Sequence, residues 1–373
     1  MTTTAHAPRP LAFGLYYFGN DDANTSHADQ RRLILDSARF ADEHGFSAVW
    51  SPERHFHAFG GLSPNPSVMA AALATVTKRV RIRSGSVVVP LHHPARVVEE
   101  WSMVDFLSGG RVDLALASGW FPNDFVLAAP GNYERRNELV FERVQELRRL
   151  WQGEPFEAVN PLGDRVQLHT MPRPVQSELP IWITAASNPQ TFQRAGAQGL
   201  NILTHLLGQS VEALGTKIAA YRQARREAGH AGEGTVTLML HTFVGEDDAQ
   251  VRQKVKAPMM RYLASSLNLV GNYTAAVPFF QKQCPLSEQP PSQQDLDLAL
   301  EYSFERYYAT SSLLGTMDAC LEMTERLRAI EVDEVACLID FGVGTDDVLA
   351  ALPALDELRQ LAQLSDLEEE ALA

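Results

Sequence analysis

Short apolar segments alternate with longer amphipathic segments along the whole chain of 373 residues. The short segments are rich in Val, Ile and Leu without clean alternation, which predicts strands buried on both faces, as in a parallel sheet. Eight strands are predicted, at 11–18, 47–50, 81–89, 112–117, 181–185, 201–204, 235–244 and 334–340. Helices are predicted after them near 29–44, 66–77, 94–107, 134–151, 189–198, 210–229, within 248–330 and at 346–363. Eight strand–helix units in one chain favour an α/β protein of the (β/α)8 TIM-barrel type.

Glycine positions and motif searches narrow the choice of α/β fold. Gly45, Gly153, Gly199 and Gly229 fall where the predicted helices should end, as helix-terminating glycines do. The main alternative, a doubly wound sheet, should carry a Gly-x-Gly-x-x-Gly turn after its first strand. The sequence has no such turn there.

The chain is predicted to form a single domain over 1–373 that contains two irregular stretches. The first, at 152–180, is rich in proline and precedes the fifth strand. The second, at 246–310, is an insertion after the seventh strand, and we expect either a lid over the catalytic face or a disordered spacer. The last residues, 364–373, are predicted to be an acidic tail that frays.

Composition excludes some partners and locations. The chain has 32 Lys and Arg against 46 Asp and Glu, and the net charge of −14 argues against nucleic acid as a main partner. Three cysteines without a Cys-x-x-Cys pair fit a reducing cytosol, so a cytoplasmic protein is expected. The sequence has no apolar run of the roughly 18 residues that a membrane span needs, and residues 1–10 lack the apolar core of a secretory signal.

The segment 50–66 concentrates titratable side chains directly after the second strand. It contains Glu53, Arg54, His55 and His57. The carboxyl ends of barrel strands are where TIM-barrel enzymes carry their catalytic side chains. The segment is therefore the candidate catalytic centre, and a polar loop with a salt bridge is the simpler alternative.

The third and fourth predicted strands end in small residues. The third ends around Gly85 and Ser86, and the fourth ends at Ser118 and Gly119. Because no bulky side chain intervenes, a planar ligand can approach the backbone there. A glycine-bearing bend is the alternative for the third strand. The aromatic pair that begins at Trp120 either walls a pocket or caps the core.

The fifth strand runs into a predicted helix start. Ser187 or Asn188 occupies the cap position, and Pro189 suits the first turn. A helix start offers free N–H donors and the positive end of the helix dipole, which together with the hydroxyls of Ser187 and Thr191 make a phosphate site. Ordinary capping, which needs only one of these residues, is the alternative.

Motifs of several other enzyme classes are absent from the sequence. The sequence has no Walker loop, no His-Glu-x-x-His and no Gly-x-Ser-x-Gly motif. The pairs His55 with His57 and His92 with His93 lack the three or four suitably placed ligands that zinc requires. No metal site is predicted.

Five spaced motifs carry a family resemblance. They lie at 50–66, 88–97, 105–112, 117–120 and 185–191. On these motifs, which follow one another along nearly the whole chain, the sequence resembles the bacterial luciferase-like, flavin-dependent monooxygenases. The segments 122–125 and 334–342 resemble the branch of that family found in polyketide and nonribosomal peptide pathways.

The resemblance implies a TIM barrel that takes reduced FMN (FMNH2) from a separate flavin reductase. Members of the family add dioxygen to the reduced flavin, form a peroxyflavin and oxygenate a substrate, here a free small molecule or a carrier-bound intermediate. The resemblance also implies a homodimer through the helices near 66–77 and 94–107. Carrier proteins are usually acidic, so docking one on this acidic chain needs a local basic patch. The candidate basic residues are Arg135, Arg136, Arg148, Arg149, Arg222, Arg225, Arg226, Lys254 and Lys256.

Particular cofactor-binding residues follow from the resemblance. Gly85 and Ser86 match the pair whose backbone lies against the flavin ring, and a non-proline cis peptide bond is expected between them. Ala186 and Ser187 match the segment near the flavin tail, with Thr191 one helical turn further on.

One departure concerns the phosphate. Ser118 stands where luciferase has a phosphate-contacting arginine, so another cation, such as Arg135 or Arg136, would have to replace the lost charge. The residues predicted to bind the cofactor are Gly85, Ser86, Ser118, Gly119, Ala186, Ser187, Asn188 and Thr191.

A second departure concerns the catalytic segment. Luciferase has Glu-His-His-Phe there, and its first histidine acts on the flavin intermediate, whereas this chain has Glu53, Arg54, His55 and Phe56. Arginine stays protonated and cannot serve as a general base, but it can stabilise a peroxide anion or a substrate carboxylate. His55 is then the adjacent group suited to proton transfer. The predicted catalytic residues are His55, Arg54 and Glu53.

Two other functions stay open on the sequence. One is a deazaflavin-dependent oxidoreductase that transfers hydride on the same barrel. The other is a non-catalytic flavin-binding homologue, such as a storage protein or a dimer partner subunit. The titratable groups at Arg54 and His55 weigh against the second alternative.

Overall fold

Eight parallel strands close into a barrel in the computed structural model, which describes residues 10–19, 26–271 and 293–372, with side chains except at 266–271, 293–296 and 365–372. The strands are β1 (Ala12–Tyr16), β2 (Ala48–Ser51), β3 (Arg81–Val88), β4 (Val112–Ala117), β5 (Phe156–Val159), β6 (Arg165–Leu168), β7 (Ile181–Thr184), β8 (Asn201–His205), β9 (Val236–Gly245), β10 (Leu313–Thr316) and β11 (Glu334–Leu338). The barrel runs β1-β2-β3-β4-β7-β8-β9-β11, and β11 pairs with β1 to close it. The predicted TIM barrel is confirmed.

Helices surround the barrel, and their ends carry the expected signals. They are α1 (His27–Glu43), α2 (Pro66–Val76), α3 (Pro94–Ser108), α4 (Arg136–Gln152), α5 (Pro189–Ala197), α6 (Val211–Glu227), α7 (Asp248–Gly271), α8 (Gln293–Thr310), α9 (Met317–Ala329) and α10 (Thr345–Leu372). Asn65 accepts hydrogen bonds from the first N–H groups of α2, and Gly153 ends α4 at a φ of 93°. None of the helices within the described ranges is long and apolar enough to cross a membrane.

Three strands were not predicted. β5 and β6 form an antiparallel hairpin within the proline-rich stretch at 152–180. β10 pairs in parallel with the carboxyl-terminal half of β9, from Leu313 opposite Thr242 to Thr316 opposite Gly245. In the predicted insertion at 246–310, α7 and α8 pack against each other, and residues 272–292 lie outside the described part. The predicted acidic tail at 364–373 is helical as far as Leu372.

A buried ionic cluster fills the lower part of the barrel. Arg83 donates to Asp113 over 2.6 Å and to Glu334 over 2.6 Å. Its guanidinium carbon lies 4.8 Å from the ring centre of Trp50 and 4.5 Å from that of Trp182. These large side chains pack together inside the barrel, and the carboxyl ends of the strands are where TIM barrels bind their ligands.

The predicted basic surface patches are largely neutralised. The prediction of a surface position is wrong for Arg222. Its side chain is 2% exposed and donates a hydrogen bond to Asp333 over 2.6 Å. Lys254 pairs with Asp347, and Arg135 with Glu142. An isolated surface charge that could attract an acidic carrier protein is therefore absent at these three positions.

Candidate active site

The predicted catalytic and cofactor-binding residues fall on one sector of the barrel. β2 pairs with β3, β3 with β4, and β4 with β7, so the carboxyl ends of these four strands lie side by side. The catalytic candidates follow β2, and the cofactor-binding candidates lie at the ends of β3, β4 and β7. Residues more than 100 positions apart in sequence are thus gathered at one edge of the barrel mouth.

Glu53 links two histidines at the centre of this sector. Its side chain is fully buried, and its Oε1 lies 2.9 Å from His55 Nε2 and 2.6 Å from His92 Nε2. Its Oε2 accepts a hydrogen bond from the backbone N–H of Val88 over 2.7 Å. Glu53 therefore ties the catalytic segment to the end of β3. His92 belongs to this cluster, although its sequence context suggested no role.

The pKa values of Glu53 and His92 are shifted in opposite directions. Burial of Glu53 disfavours its charge, but the hydrogen bonds from His55, His92 and Val88 hold its pKa below the ordinary value. Burial also opposes charge on His92, but its hydrogen bond to Glu53 and the charges of Glu53 and Glu100 raise its pKa. The described residues contain no group of three or more His, Cys, Asp or Glu side chains that could hold a metal ion.

The loop after β2 is closed on itself. The backbone N–H of Arg54 donates to the carbonyl of Ser63 over 3.1 Å, and the hydroxyl of Ser63 donates to the carbonyl of Pro52 over 2.7 Å. Phe56 holds a left-handed φ of 55°, which a bulky residue rarely adopts. The turn at Phe56 follows His55 directly, and such strained positions concentrate at functional sites.

Arg54 is buried among aromatic rings. Only 7% of the residue is exposed, and its guanidinium carbon lies 4.8 Å from the ring centre of Trp120 and 5.4 Å from that of Phe121. Its Nη1 is 3.8 Å from Asp124 Oδ2, which is an ion-pair contact but no hydrogen bond. Burial lowers the pKa of Arg54, and the Asp124 carboxyl opposes that shift.

The end of β3 is buried and packs against Tyr16. The peptide bond between Gly85 and Ser86 is cis, which confirms that expectation. A Cβ on Gly85 would lie 2.7 Å from the ring of Tyr16, so only glycine fits this position. The hydroxyl of Tyr16 donates to the carbonyl of Gly85, and the hydroxyls of Ser86 and Thr184 share a hydrogen bond. Side-chain hydroxyls therefore hold the strand end in place.

The end of β4 also depends on a small residue. Ser118 and Gly119 are half-buried, and Gly119 has a φ of 71°. A Cβ at Gly119 would lie 2.7 Å from Val88 Cγ1 on the neighbouring strand. Glycine is required there both by the conformation and by the packing.

The start of α5 has the predicted geometry. Ala186, Ser187 and Asn188 are exposed, and Thr191 is half-buried. Asn188 Oδ1 accepts from the N–H of Gln190 over 3.0 Å, so that side chain caps the helix. The exposed hydroxyl of Ser187 and the helix N-terminus remain as the candidate phosphate contacts.

The two arginines considered as replacements for the missing phosphate cation have partners in the protein. Arg135 donates to Glu142 over 2.9 Å. Arg136 donates to the carbonyl of Tyr133 over 2.7 Å, and its guanidinium carbon lies 4.3 Å from the Tyr133 ring centre. Either would have to exchange these contacts for a phosphate.

Buried titratable groups on the remaining strands were missed by the sequence reasoning. Burial lowers the pKa of His241 to about 3 and that of His205 to about 4, so both imidazoles are neutral near pH 7. His241 packs edge-on against Tyr262, with ring centres 4.7 Å apart. Burial raises the pKa of Asp340 to about 6, although Phe18 and Gly19 donate their N–H groups to it. The sequence did contain one indication of this group, because His241 lies within the otherwise apolar strand β9.

A sequence model described as luciferase-like monooxygenase matches residues 12–334. The chain belongs to the luciferase-like monooxygenase family. That match covers every barrel strand from β1 to the first residue of β11. The family resemblance of the five motifs is thereby confirmed, and with it the class of flavin-dependent monooxygenases.

Curated relatives of this luciferase-like monooxygenase cover most of the chain. The oxygenase component of the flavin-dependent trigonelline monooxygenase of Acinetobacter baylyi is 26% identical over 86% of both chains. The 4-hydroxyprotoasukamycin monooxygenase of Streptomyces nodosus subsp. asukaensis is 27% identical over 77% of this chain and 74% of that relative.

Solved structures share the fold. A monooxygenase from Streptomyces bottropensis superposes with a TM-score of 0.75 at 23% identity, over 93% of this chain and 98% of that chain. The oxygenating constituent of 3,6-diketocamphane monooxygenase from Pseudomonas putida, in complex with FMN, gives 0.72 at 18% identity, over 95% and 98%. An F420-dependent secondary alcohol dehydrogenase gives 0.64 at 17% identity, over 92% and 99%.

Proposed function

We propose that this protein is the oxygenase component of a two-component system that uses reduced FMN and dioxygen to oxygenate an intermediate of natural-product biosynthesis. The observation that carries the proposal is the position of the Glu53 cluster beside the small-residue ends of β3, β4 and β7. The relative named as an oxygenase component supports a separate flavin reductase as partner. The 4-hydroxyprotoasukamycin monooxygenase supports a biosynthetic substrate, free or carrier-bound.

The residues of this sector fit a flavin. Glycine at positions 85 and 119 leaves both strand ends without a side chain, which suits the approach of a planar ring to the backbone. Gly85 and Ser86 would lie against the ring, with Ser118 and Gly119 beside it. Ala186, Ser187, Asn188 and Thr191 would surround the phosphate tail at the start of α5. When bound, reduced FMN supplies the electrons and the activation of dioxygen.

The protein supplies proton transfer through His55. Because anionic Glu53 accepts from His55 Nε2, that nitrogen carries hydrogen and Nδ1 is left as the basic nitrogen. His55 can therefore take or release a proton at Nδ1 while Glu53 stabilises the imidazolium. Arg54, the preceding residue, adds a positive charge to the same loop.

Exposed apolar side chains on α2 and α3 support homodimer formation through these two helices. Val68 on α2 is 66% exposed, and Phe106 on α3 is 60% exposed. Met103 and Leu107 on α3 are also exposed. Apolar side chains exposed to water in this way mark interaction surfaces, and contact with a second copy of the chain would bury them.

Turnover with alternative cofactors tests the proposal. The protein is mixed with candidate substrates, dioxygen and either FMN kept reduced by a reductase or reduced F420. We expect oxygenated product only with reduced FMN. Oxygen-independent hydride transfer from reduced F420 would favour the deazaflavin alternative, whose enzymes share the fold. Tight binding of oxidised FMN without turnover on either cofactor would favour a non-catalytic homologue.

A further inference from the structure

Arg54 has one guanidinium edge without a partner. Its Nε and Nη2 are buried and have no hydrogen-bond partner among the described residues, while Nη1 faces Asp124 at 3.8 Å. Nε and Nη2 lie on the same edge of the planar guanidinium, so their N–H bonds point in nearly the same direction. Buried charged donors without acceptors are costly, and a ligand that accepts from both would remove that cost.

The geometry restricts what such a ligand can be. Two parallel N–H donors match the two oxygens of a carboxylate, which binds an arginine edge in the guanidinium plane. The rings of Trp120 and Phe121 cover the guanidinium above that plane, so a ligand must approach along the edge. Asp124 does not fill this role, because it lies on the Nη1 side and its own Oδ1 lacks a partner among the described residues.

We propose that the substrate carries a carboxylate, which Arg54 binds side-on through Nε and Nη2, with its apolar or aromatic body against Trp120. This proposal deepens the proposed function, on which it rests for the identity of the pocket. Trp120 is 38% exposed and Arg54 only 7%, so Trp120 is the member of this cluster that a ligand meets from the solvent side. Asp124 lies within electrostatic range of both Arg54 and His55, so a carboxylate held by Arg54 enters the region that also contains His55.

The flavin phosphate is the other anion in such a site, and the test separates the two. Benzoate and benzamide are probes of equal shape that differ in the acid group. Their binding to the protein holding oxidised FMN is measured by calorimetry, so no turnover is needed. We expect benzoate to bind at least about tenfold more tightly than benzamide. In Arg54→Met this preference should vanish, while the ratio of FMN to riboflavin affinity stays unchanged.

Two further variants serve as controls for the benzoate preference. Arg54→Lys keeps the charge but loses the paired edge, so it should fold and retain only a small part of the benzoate preference. Arg96→Met removes an arginine whose side chain is 69% exposed and should bind benzoate normally. Equal affinity for both probes in the wild type, or an unchanged preference in both Arg54 variants, would overturn the proposal. A lost FMN-to-riboflavin preference would assign Arg54 to the phosphate instead.

If the benzoate preference holds but no cofactor supports oxygenation, the proposed function fails while the carboxylate site stands. If oxygenation occurs with reduced FMN but neither probe binds, the carboxylate site fails alone. The two conclusions are therefore separable.

Discussion

His55 is the side chain on which proton transfer depends at the residue scale. Its Nε2 is held by Glu53 over 2.9 Å, which leaves Nδ1 to act on the reaction. His55→Ala should reduce product formation by about 100-fold or more, as loss of a general acid–base group does. FMN affinity should stay within about twofold, because the cofactor contacts lie on other strands. Product yield per reduced FMN and flavin titration measure the two, and unchanged turnover would remove His55 from the mechanism.

His92 should make stability depend on pH in a defined direction. Its pKa is raised in the folded protein, so its stabilising contribution is complete below its ordinary value of about 6.5 and is lost as the pH rises through the folded value. His92→Ala should therefore cost about 1 to 2 kcal/mol of unfolding free energy at pH 5.5 and much less at pH 9. Urea unfolding at the two pH values measures this, and an equal cost at both would contradict it.

His92 also shows where residue-level prediction stops. Glu53, Arg54 and His55 stand out in sequence because titratable groups cluster directly after an apolar strand. The role of His92 arises from a contact with Glu53, 39 residues earlier in the chain, which no local pattern encodes. The unpaired edge of Arg54 depends likewise on where Trp120 and Asp124 come to lie.

At the element scale, the start of α5 combines two roles that substitution can separate. Asn188 caps the helix, so Asn188→Ala should cost about 1 kcal/mol of unfolding free energy and leave the FMN-to-riboflavin affinity ratio unchanged. Ser187 is exposed and makes no capping hydrogen bond of this kind, so Ser187→Ala should lower FMN affinity without lowering riboflavin affinity. Thermal unfolding and flavin titration on both variants measure this, and identical profiles would contradict the division.

The eight barrel strands were predictable, whereas β10 and the β5–β6 hairpin were not. The eight barrel strands were found because burial on both faces demands continuous apolar runs. β10 was missed because Leu313–Thr316 lies inside the stretch 248–330, in which only a helix was predicted. The β5–β6 hairpin was missed because its strands have four residues each and are mostly exposed, so they contain no continuous apolar run.

For the whole molecule, assembly through α2 and α3 is testable by charge substitution. Phe106→Glu places a carboxylate on an exposed apolar position of α3, so a dimer held there should dissociate to one chain. Leu298→Glu is the matched control, because Leu298 is 63% exposed on α8. Light scattering gives the mass of each variant. A wild type with the mass of one chain, or a Phe106→Glu dimer, would contradict this interface.

We propose that the flavin lies at the ends of β3, β4 and β7, with the catalytic segment that follows β2 beside it. A crystal structure with FMN tests this most directly. We expect the ring against Gly85 and Ser86, the phosphate at Ser187 and the start of α5, and His55 facing the ring. A flavin bound at the ends of β8, β9 and β11, or a ring out of reach of His55, would contradict it.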